Sequence, residues 1–576
     1  MVFAIHSGAT ASEAKRTGAH FTPPALADFV ASRLISALEK WPAVLRVLDP
    51  SCGDGELLRA FVAQVTPKHR GSLHMVGIED NAAALAVANK RLNAFNVTTE
   101  LVEADFLSTP YDVARPQLDL LAAAVPTPSL VKPQIIIANP PYVRTQILGA
   151  QRAQQLAQKY NLRGRVDLYY AFLIAMTEAL EERGLLGVIT SNRFLTTRSG
   201  ESVRQFLDEN YDLIEVIDLG DTKLFSAAVL PAIIVARKRT RRGRDVASAP
   251  PTFTRVYEVM EAAPAATAWP ASSALSAIGE RRDGHYSIDG RIFEVTSGKL
   301  AVSGDHREPW RLATQDQAAW VDLVERAATT RIGDVAKVRV GIKTTADKIF
   351  IRSDWTDLDP GMQPEAELLR PLFTHFDADR WRAGKSGRDL LQILYPHESV
   401  NGKRQPVDLA RYPRAARYLE SQRDALEGRS YVTEAGRKWY EIWVPQDPAA
   451  WALPKIVFPD ISVEPKFFFD ESAALVNGDC YWIAIDDTRV DLLLLIQGVA
   501  NSSVMTRYHD LAFNNKLYSG RRRYISQYIQ RYPIPDPSSK IAKDIVKIVR
   551  SLNDQPTAAG EEKLNRLVAA AFGVAL

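Results

Sequence analysis

Two consecutive prolines, Pro140 and Pro141, follow closely on the β-branched run Ile135, Ile136 and Ile137. Proline has no N–H to give a sheet ladder and fixes its own φ, so a buried strand must stop there and the turn after it is stiff. The tetrapeptide Asn139-Pro140-Pro141-Tyr142 is therefore a fixed ledge at a strand end. On it, the Asn139 amide oxygen and the Pro140 carbonyl can both accept hydrogen bonds from one amino group, and Tyr142 offers a flat face to the ring carrying that group. Asn and Pro are ordinary turn residues, so in isolation the segment reads as a plain strand-ending turn. Its context decides otherwise.

Upstream, Val47-Leu48-Asp49-Pro50-Ser51-Cys52-Gly53-Asp54-Gly55-Glu56 reads as a buried strand, a glycine turn and a helix start. Gly53 and Gly55 let backbone N–H groups approach a ligand, and Asp49 can receive the cationic end of an amino acid. About two dozen residues beyond the glycines, the strand Met75 to Ile78 ends in Glu79, where a ribose diol is usually held. A third strand, from Leu101, ends in Asp105 and Phe106, an acid that can accept from an adenine amino group and a ring that can pack on the purine. Singly, each of these is a turn or a cap. Four strands ending in suitable residue types, in this order, form a series.

The series resembles the S-adenosylmethionine-dependent amino-methyltransferases of DNA, and among them the gamma class, the adenine-N6 enzymes of restriction–modification systems. The segment Gly18-Ala19-His20-Phe21-Thr22-Pro23-Pro24 matches the Phe-x-Pro-Pro element that precedes the glycine turn in that class. Later segments match as well: Asp167 to Leu173, Gly184 to Ser191, and Lys223-Leu224-Phe225 ahead of the strand Ala232 to Val235. The resemblance covers roughly residues 15 to 240 and is looser beyond. It implies a base flipped out of the duplex, stacked on Tyr142 and Phe225 and held by Asn139 and Pro140. It also implies S-adenosylmethionine held by Phe21, Thr22, Asp49, Cys52, Gly53, Gly55, Glu79, Asp105 and Phe106, with Phe172 closing the far side of its adenine. Phe172 is equally well explained as a core residue of the apolar helix that includes Leu173, Met176 and Leu180.

At 576 residues the chain exceeds what one core organises. Alternating helix and strand signals to about residue 240 predict an α/β, Rossmann-like methyltransferase domain with a mostly parallel sheet over 1–245. A Pro/Ala/Ser-rich transition over 246–280 would lead to a mixed α+β target-recognition domain over 281–576. A net charge of +3 is too small to announce a nucleic-acid partner. Its distribution says more: residues 501–550 hold ten Lys or Arg against three Asp.

Within that stretch, Tyr508, Lys516, Tyr518, Arg521, Arg522, Arg523, Tyr524, Tyr528, Arg531 and Tyr532 interleave rings with cations. Arg339 and Lys343 alternate with apolar residues in a segment common in target-recognition domains of this family. Double-stranded DNA contact is expected of Arg339, Lys343, Lys516, Arg521, Arg522, Arg523 and Tyr524, against the alternative that a tyrosine-rich stretch is packing.

Only two cysteines, Cys52 and Cys480, and nine scattered histidines give neither a disulfide framework nor a metal site, so no metal is expected. No signal peptide or membrane span is read, and a cytoplasmic monomer is expected, with any cognate restriction endonuclease encoded separately. Asp460 and Glu464 mimic a nuclease carboxylate pair, but they stand too close, with Pro465 between Glu464 and Lys466. Two other readings stay open: a protein glutamine methyltransferase using the same tetrapeptide on a planar amide, and a modification subunit or inactive DNA-binding subunit that relies on a separate specificity partner.

Overall fold

A computed structural model describes residues 21–108, 131–142, 150–160, 167–222, 224, 230–240, 250–259, 267–302, 304–384, 391–513, 516–517 and 520–576. Contacts divide the chain into two units, residues 1–316 with 517–520, and residues 317–516 with 521–576.

The first unit is built on strands β1 (Leu45–Asp49), β2 (Leu73–Glu79), β3 (Thr98–Glu103), β4 (Ile135–Ala138), β5 (Leu185–Ser191), β6 (Tyr211–Asp218), β7 (Pro231–Lys238), β8 (Thr252–Glu258), β9 (Trp269–Pro270), β10 (Gly284–Ile288) and β11 (Arg291–Lys299). They form one sheet in the order β3-β2-β1-β4-β5-β7-β6-β8-β11-β10-β9. From β3 to β5 all pairings are parallel, and β7 runs antiparallel between β5 and β6. This is the mostly parallel α/β sheet expected from the alternating signals.

Successive side chains of a strand point to opposite faces, and both faces here are covered. Ile135 and Ile137 pack with α1 (Pro24–Ser36) and α2 (Glu56–Gln64), through Leu26, Val30, Leu34, Leu58 and Phe61. Ile136 and Ala138 pack into the opposite core, with Phe172, Leu173 and Met176 of α5 (Leu168–Ala179). An unbroken apolar run is what such two-sided burial selects. Between β2 and β3 runs α3 (Ala82–Leu92), and α4 (Ala150–Lys159) precedes α5.

The strand order reverses direction between β1 and β4: the chain steps outward from β1 to β2 and β3, then returns to β4 on the other side. In doubly wound sheets, ligands bind at such a switch point, outside the carboxyl ends of the strands.

The transition expected at 246–280 falls elsewhere. Strand β8 pairs in parallel with β6, and β11 and β10 follow antiparallel, so residues 252–299 continue the first unit's sheet. Proline and alanine punctuate the connections between these strands, which composition alone reads as a linker. The second unit has an antiparallel sheet containing β12 (Lys337–Val340), β15 (Lys455–Pro459), β17 (Phe468–Asp470) and β19 (Cys480–Ala484). A second sheet includes β13 (Leu369–Phe373), β14 (Leu391–Leu394) and β18 (Leu475–Val476), and a two-stranded ribbon pairs β16 (Ile461–Ser462) with β20 (Arg522–Arg523). Helices between 490 and 572 pack over one of its cores. Among the described residues no helix is long and apolar enough to cross a membrane.

Candidate active site

At the switch point lies a cavity of about 490 Å³, lined by the ends of β1, β2 and β4 and the segment after β3. Phe21, Thr22, Asp49, Cys52, Gly53, Glu79, Asp105, Phe106, Asn139 and Phe172 all lie on its wall, so residues spread over 150 positions of sequence meet here.

The glycine turn has the conformation that only glycine adopts cheaply: Gly53 and Gly55 have φ of +51° and +78°. A Cβ on Gly55 would also stand 2.9 Å from the Ala88 Cβ, so α3 can approach only a bare backbone. The turn's N–H groups make hydrogen bonds within the protein. The Gly53 N–H donates to Glu79 Oε2 at 2.8 Å, Gly55 to the Cys52 carbonyl at 2.8 Å, and Cys52 to the Ile78 carbonyl at 2.9 Å. The glycines shape the wall. Burial pushes the Cys52 thiol up, and a Cβ on Gly77 would stand 2.9 Å from its Sγ, which makes Cys52 a small filler between the turn and β2.

Three of the carboxylates on this wall are in different states. Asp49 is 1% exposed, and burial raises it to about 8, with Glu79 and Asp54 adding to the rise against one hydrogen bond from the Ser51 N–H. Burial also raises Glu79, although it accepts from the Gly53 and Asn81 N–H groups. Asp105 behaves oppositely. Burial alone would raise it, but Ser108, the Arg152 guanidinium and the Leu107 N–H together hold it below the usual range. Arg152, on α4, therefore belongs to the site. It lies 47 residues beyond Asp105, and no local pattern marks it.

Phe106 and Phe172 are near parallel, with ring centroids 5.9 Å apart, so they touch each other. Phe172 nevertheless lies on the cavity wall, beside Phe106. Phe172 also packs in the core, on the apolar face of α5.

The ledge is ordered by two hydrogen bonds that sequence does not reveal. Asn139 Nδ2 donates to Thr22 Oγ1 at 3.0 Å, and the Tyr142 hydroxyl donates to Asn139 Oδ1 at 2.5 Å. Thr22 thus fixes which way the Asn139 amide points, beyond the cofactor contact expected of it. Burial raises the Tyr142 phenol, which stays a neutral donor. Asn139 and Pro141 are on the cavity wall, whereas Pro140 is buried behind it. Phe225, like Gly18, Ala19, His20, Lys223 and Tyr518, lies outside the described residues.

The lining fits S-adenosylmethionine by its donor set: an apolar ring beside a carboxylate for a nucleobase, Glu79 for a diol, and the buried acid Asp49 for an ammonium group.

The basic segment of the second unit is a different matter. Tyr524 is 1% exposed, edge-on to Phe467 and packed on His509, so the DNA contact expected of it is closed off by packing. Tyr508, Tyr528 and Tyr532 are buried in the same core. Arg522 makes a two-pronged pair with Asp510, at 2.6 and 2.8 Å, and Lys516 approaches that carboxylate at 3.5 Å. Arg523 pairs with Asp460 at 2.7 Å and Arg339 lies over the Trp482 ring at 5.1 Å, while Arg521 and Lys343 are exposed. Packing accounts for the described tyrosines, and internal acids for part of the charge.

Comparison with known proteins extends these findings. Residues 131–225 match the model of the family described as Eco57I restriction-modification methylase. The Type II methyltransferase M.BanIII of Aneurinibacillus aneurinilyticus is 43% identical over 576 residues, 97% of each chain. The Type II methyltransferase M.PaeR7I of Pseudomonas aeruginosa is 27% identical over 541 residues, 92% of this chain and 87% of its own. Among solved structures, the cryoEM structure of the DrdV-DNA complex has a similar fold, with a TM-score of 0.52 and 12% identity, over 94% of this chain and 57% of that one.

Proposed function

Because this chain belongs to the type II methyltransferases of restriction–modification systems, we propose that it methylates the N6 of adenine at a specific site in double-stranded DNA. The observation that carries this reading is Asn139 at the cavity wall, its amide oriented by Thr22 and its oxygen presented at the end of β4. S-adenosylmethionine supplies a methyl group activated by a sulfonium.

An adenine within a duplex keeps its amino group in the stack, so the nucleotide rotates out into the site, at a cost of a few kcal/mol. Stacking on the Tyr142 ring offsets part of that cost. Asn139 Oδ1 accepts one N–H of the exocyclic amine and the Pro140 carbonyl accepts the other. A carbonyl oxygen has two lone pairs, so Asn139 can take this bond beside the one from Tyr142. These bonds favour a pyramidal nitrogen and free its lone pair, which forms the new N–C bond as the C–S bond breaks. The amine then sheds one proton. No covalent intermediate with the protein is required; positioning and electrostatics do the work. Asp105 and Phe106 would hold the adenine end of the cofactor, Glu79 the ribose and Asp49 the ammonium group.

The second unit reads the DNA sequence, and the protein acts as a monomer that protects host DNA from a separately encoded endonuclease. The DNA in the DrdV complex supports a DNA partner. A protein glutamine methyltransferase is not favoured, since the likeness to type II methyltransferases runs through both units.

The test is to incubate the purified protein alone with methyl-labelled S-adenosylmethionine and plasmid DNA, then analyse the nucleosides. Label in N6-methyldeoxyadenosine at one recurring sequence is expected. Label in cytosine, or in protein glutamine with none in DNA, overturns the proposal.

A further inference from the structure

One hairpin of the second unit stands apart from its sheets. Strands His397–Val400 and Lys403–Pro406 pair, among the described residues, only with each other, antiparallel, with Val400 opposite Lys403 and a two-residue loop between them. Asn401 and Gly402 fill that loop with φ of +51° and +73°, the left-handed pair that a tight turn matched to the natural strand twist requires. The base is anchored. Tyr395, His397 and Val407 are buried, and the Val407 N–H donates to the Pro396 carbonyl at 3.1 Å. The Ile442 N–H donates to His397 Nε2 at 3.1 Å, and the Tyr440 hydroxyl to the Val407 carbonyl at 2.7 Å. Burial, with Arg404 and Arg437 adding to it, pushes His397 down to about 3, so the ring stays a neutral acceptor. From Ser399 to Gln405, by contrast, every residue is exposed.

Exposed cations are common and carry little weight alone. Here charge and shape coincide. Directly opposite residues of a hairpin share a face, so Glu398, Val400, Lys403 and Gln405 lie on one side, and Ser399 and Arg404 on the other. On the first side Gln405 and Arg411 both donate to Glu398, at 3.2 and 3.3 Å. The side chains of Lys403 and Arg404 make no hydrogen bond or ion pair with any described residue. Between residues 397 and 417, five Lys or Arg stand against two acids. The exposed part of the hairpin, two residue pairs and the turn, reaches about 10 Å beyond its base. The major groove of B-DNA is about 8.5 Å deep and, at about 12 Å wide, admits a two-stranded ribbon; the minor groove, at about 6 Å, is too narrow.

We propose that the hairpin 397–406 enters the major groove of the target DNA, with Arg404 the residue that reads a base there. A guanidinium meets the O6 and N7 acceptors of guanine with two parallel hydrogen bonds, and Arg404 has no internal acid to hold it back, unlike Arg522 and Arg523. Lys403, beside the turn, serves a phosphate. The inference rests on the function proposed above, and places a specificity-determining residue well before the basic stretch 501–550.

The experiment maps methylated adenines in DNA from cells producing the wild-type protein, Arg404→Ala or Arg404→Lys, and measures kcat/KM on the mapped site, at several salt concentrations, with the purified proteins. Arg404→Ala should lose about tenfold in kcat/KM, the cost typical of one mismatched base contact, and relax the methylated sequence at one G·C position. Its melting temperature and S-adenosylmethionine affinity should stay unchanged, because the side chain is exposed. Arg404→Lys keeps the charge without the two-pronged fork, so it should stay relaxed at that position. An Arg404→Ala protein with the wild-type sequence preference overturns the inference alone, in any of three forms. A rate within twofold shows an inert residue, a lower rate with a weaker salt dependence shows a phosphate contact, and a lower rate with a lowered melting temperature shows packing. Wild-type protein that leaves no methylated adenine overturns the underlying function, and this inference with it.

Discussion

The carboxyl ends of the first unit's sheet and the 508–532 segment of the second are built from similar polar and aromatic residue types, and they use them in opposite ways. At the strand ends, Asp49, Glu79 and Asn139 keep carboxylate or amide oxygens on the wall of an open cavity. In the second unit, Arg522 is clamped by Asp510, Tyr508 donates to Glu325 and Tyr532 bonds to His509, so the groups face inward and satisfy one another. The difference lies in the backbone. Parallel strands all end at one rim, where side chains have no further layer to pack into, whereas helices and short turns fold their amphipathic residues onto a core. A run of rings and cations is therefore weak evidence for a binding surface, and polar residues at successive strand ends are strong evidence.

The largest effect that could break this contrast is at the ledge. Asn139→Ala should lower kcat by about a thousandfold, the size seen when one preorganised polar group is removed from a reacting centre. Cofactor affinity, followed by calorimetry, should move little; near-normal turnover would remove Asn139 from the chemistry. In the other region the effect should appear in stability. Tyr524→Ala should cost about 3 to 5 kcal/mol, the loss typical of a buried aromatic, visible as a large drop in denaturation midpoint. If the variant instead melts like the wild type and binds DNA poorly, the packing interpretation is wrong.

A third prediction uses the buried acid. Asp49, raised to about 8, keeps its proton in the folded state while the unfolded chain, near its ordinary value of 3.8, has released it. Between those values the folded state binds more protons, so stability falls as pH rises, by at most about 1.4 kcal/mol per pH unit for one group. Asp49→Asn should flatten that part of the pH–stability curve of the ligand-free protein. An unchanged slope would show that Asp49 ionises normally. The smallest effect belongs to Arg521, exposed at the edge of the ribbon. Arg521→Ala should weaken DNA binding several-fold at low salt and reduce the slope of log affinity against log salt by about 1, with no change in stability.

Much of the first unit is legible in sequence because its signals are local. A strand, a glycine turn and an acid at a strand end each fit in about ten residues, and Asp49, Glu79, Asp105 and Asn139 do meet at one cavity. What is not legible is pairing across long separations. The Thr22–Asn139 bond spans 117 positions and the Arg523–Asp460 pair spans 63, and neither partner carries a mark of the other. The same limit explains the misplaced transition at 246–280: β8 is ordinary in composition, and only its register against β6 shows which sheet it joins.

That register has a practical meaning for anyone dissecting the protein. A fragment ending near residue 245 would look like a tidy catalytic piece, but it would strip β8 from β6 and leave an interior strand with a row of bare peptide groups. Such an edge recruits other chains. Clumping of that fragment would be a scar of the cut and would say nothing about the enzyme's own solubility.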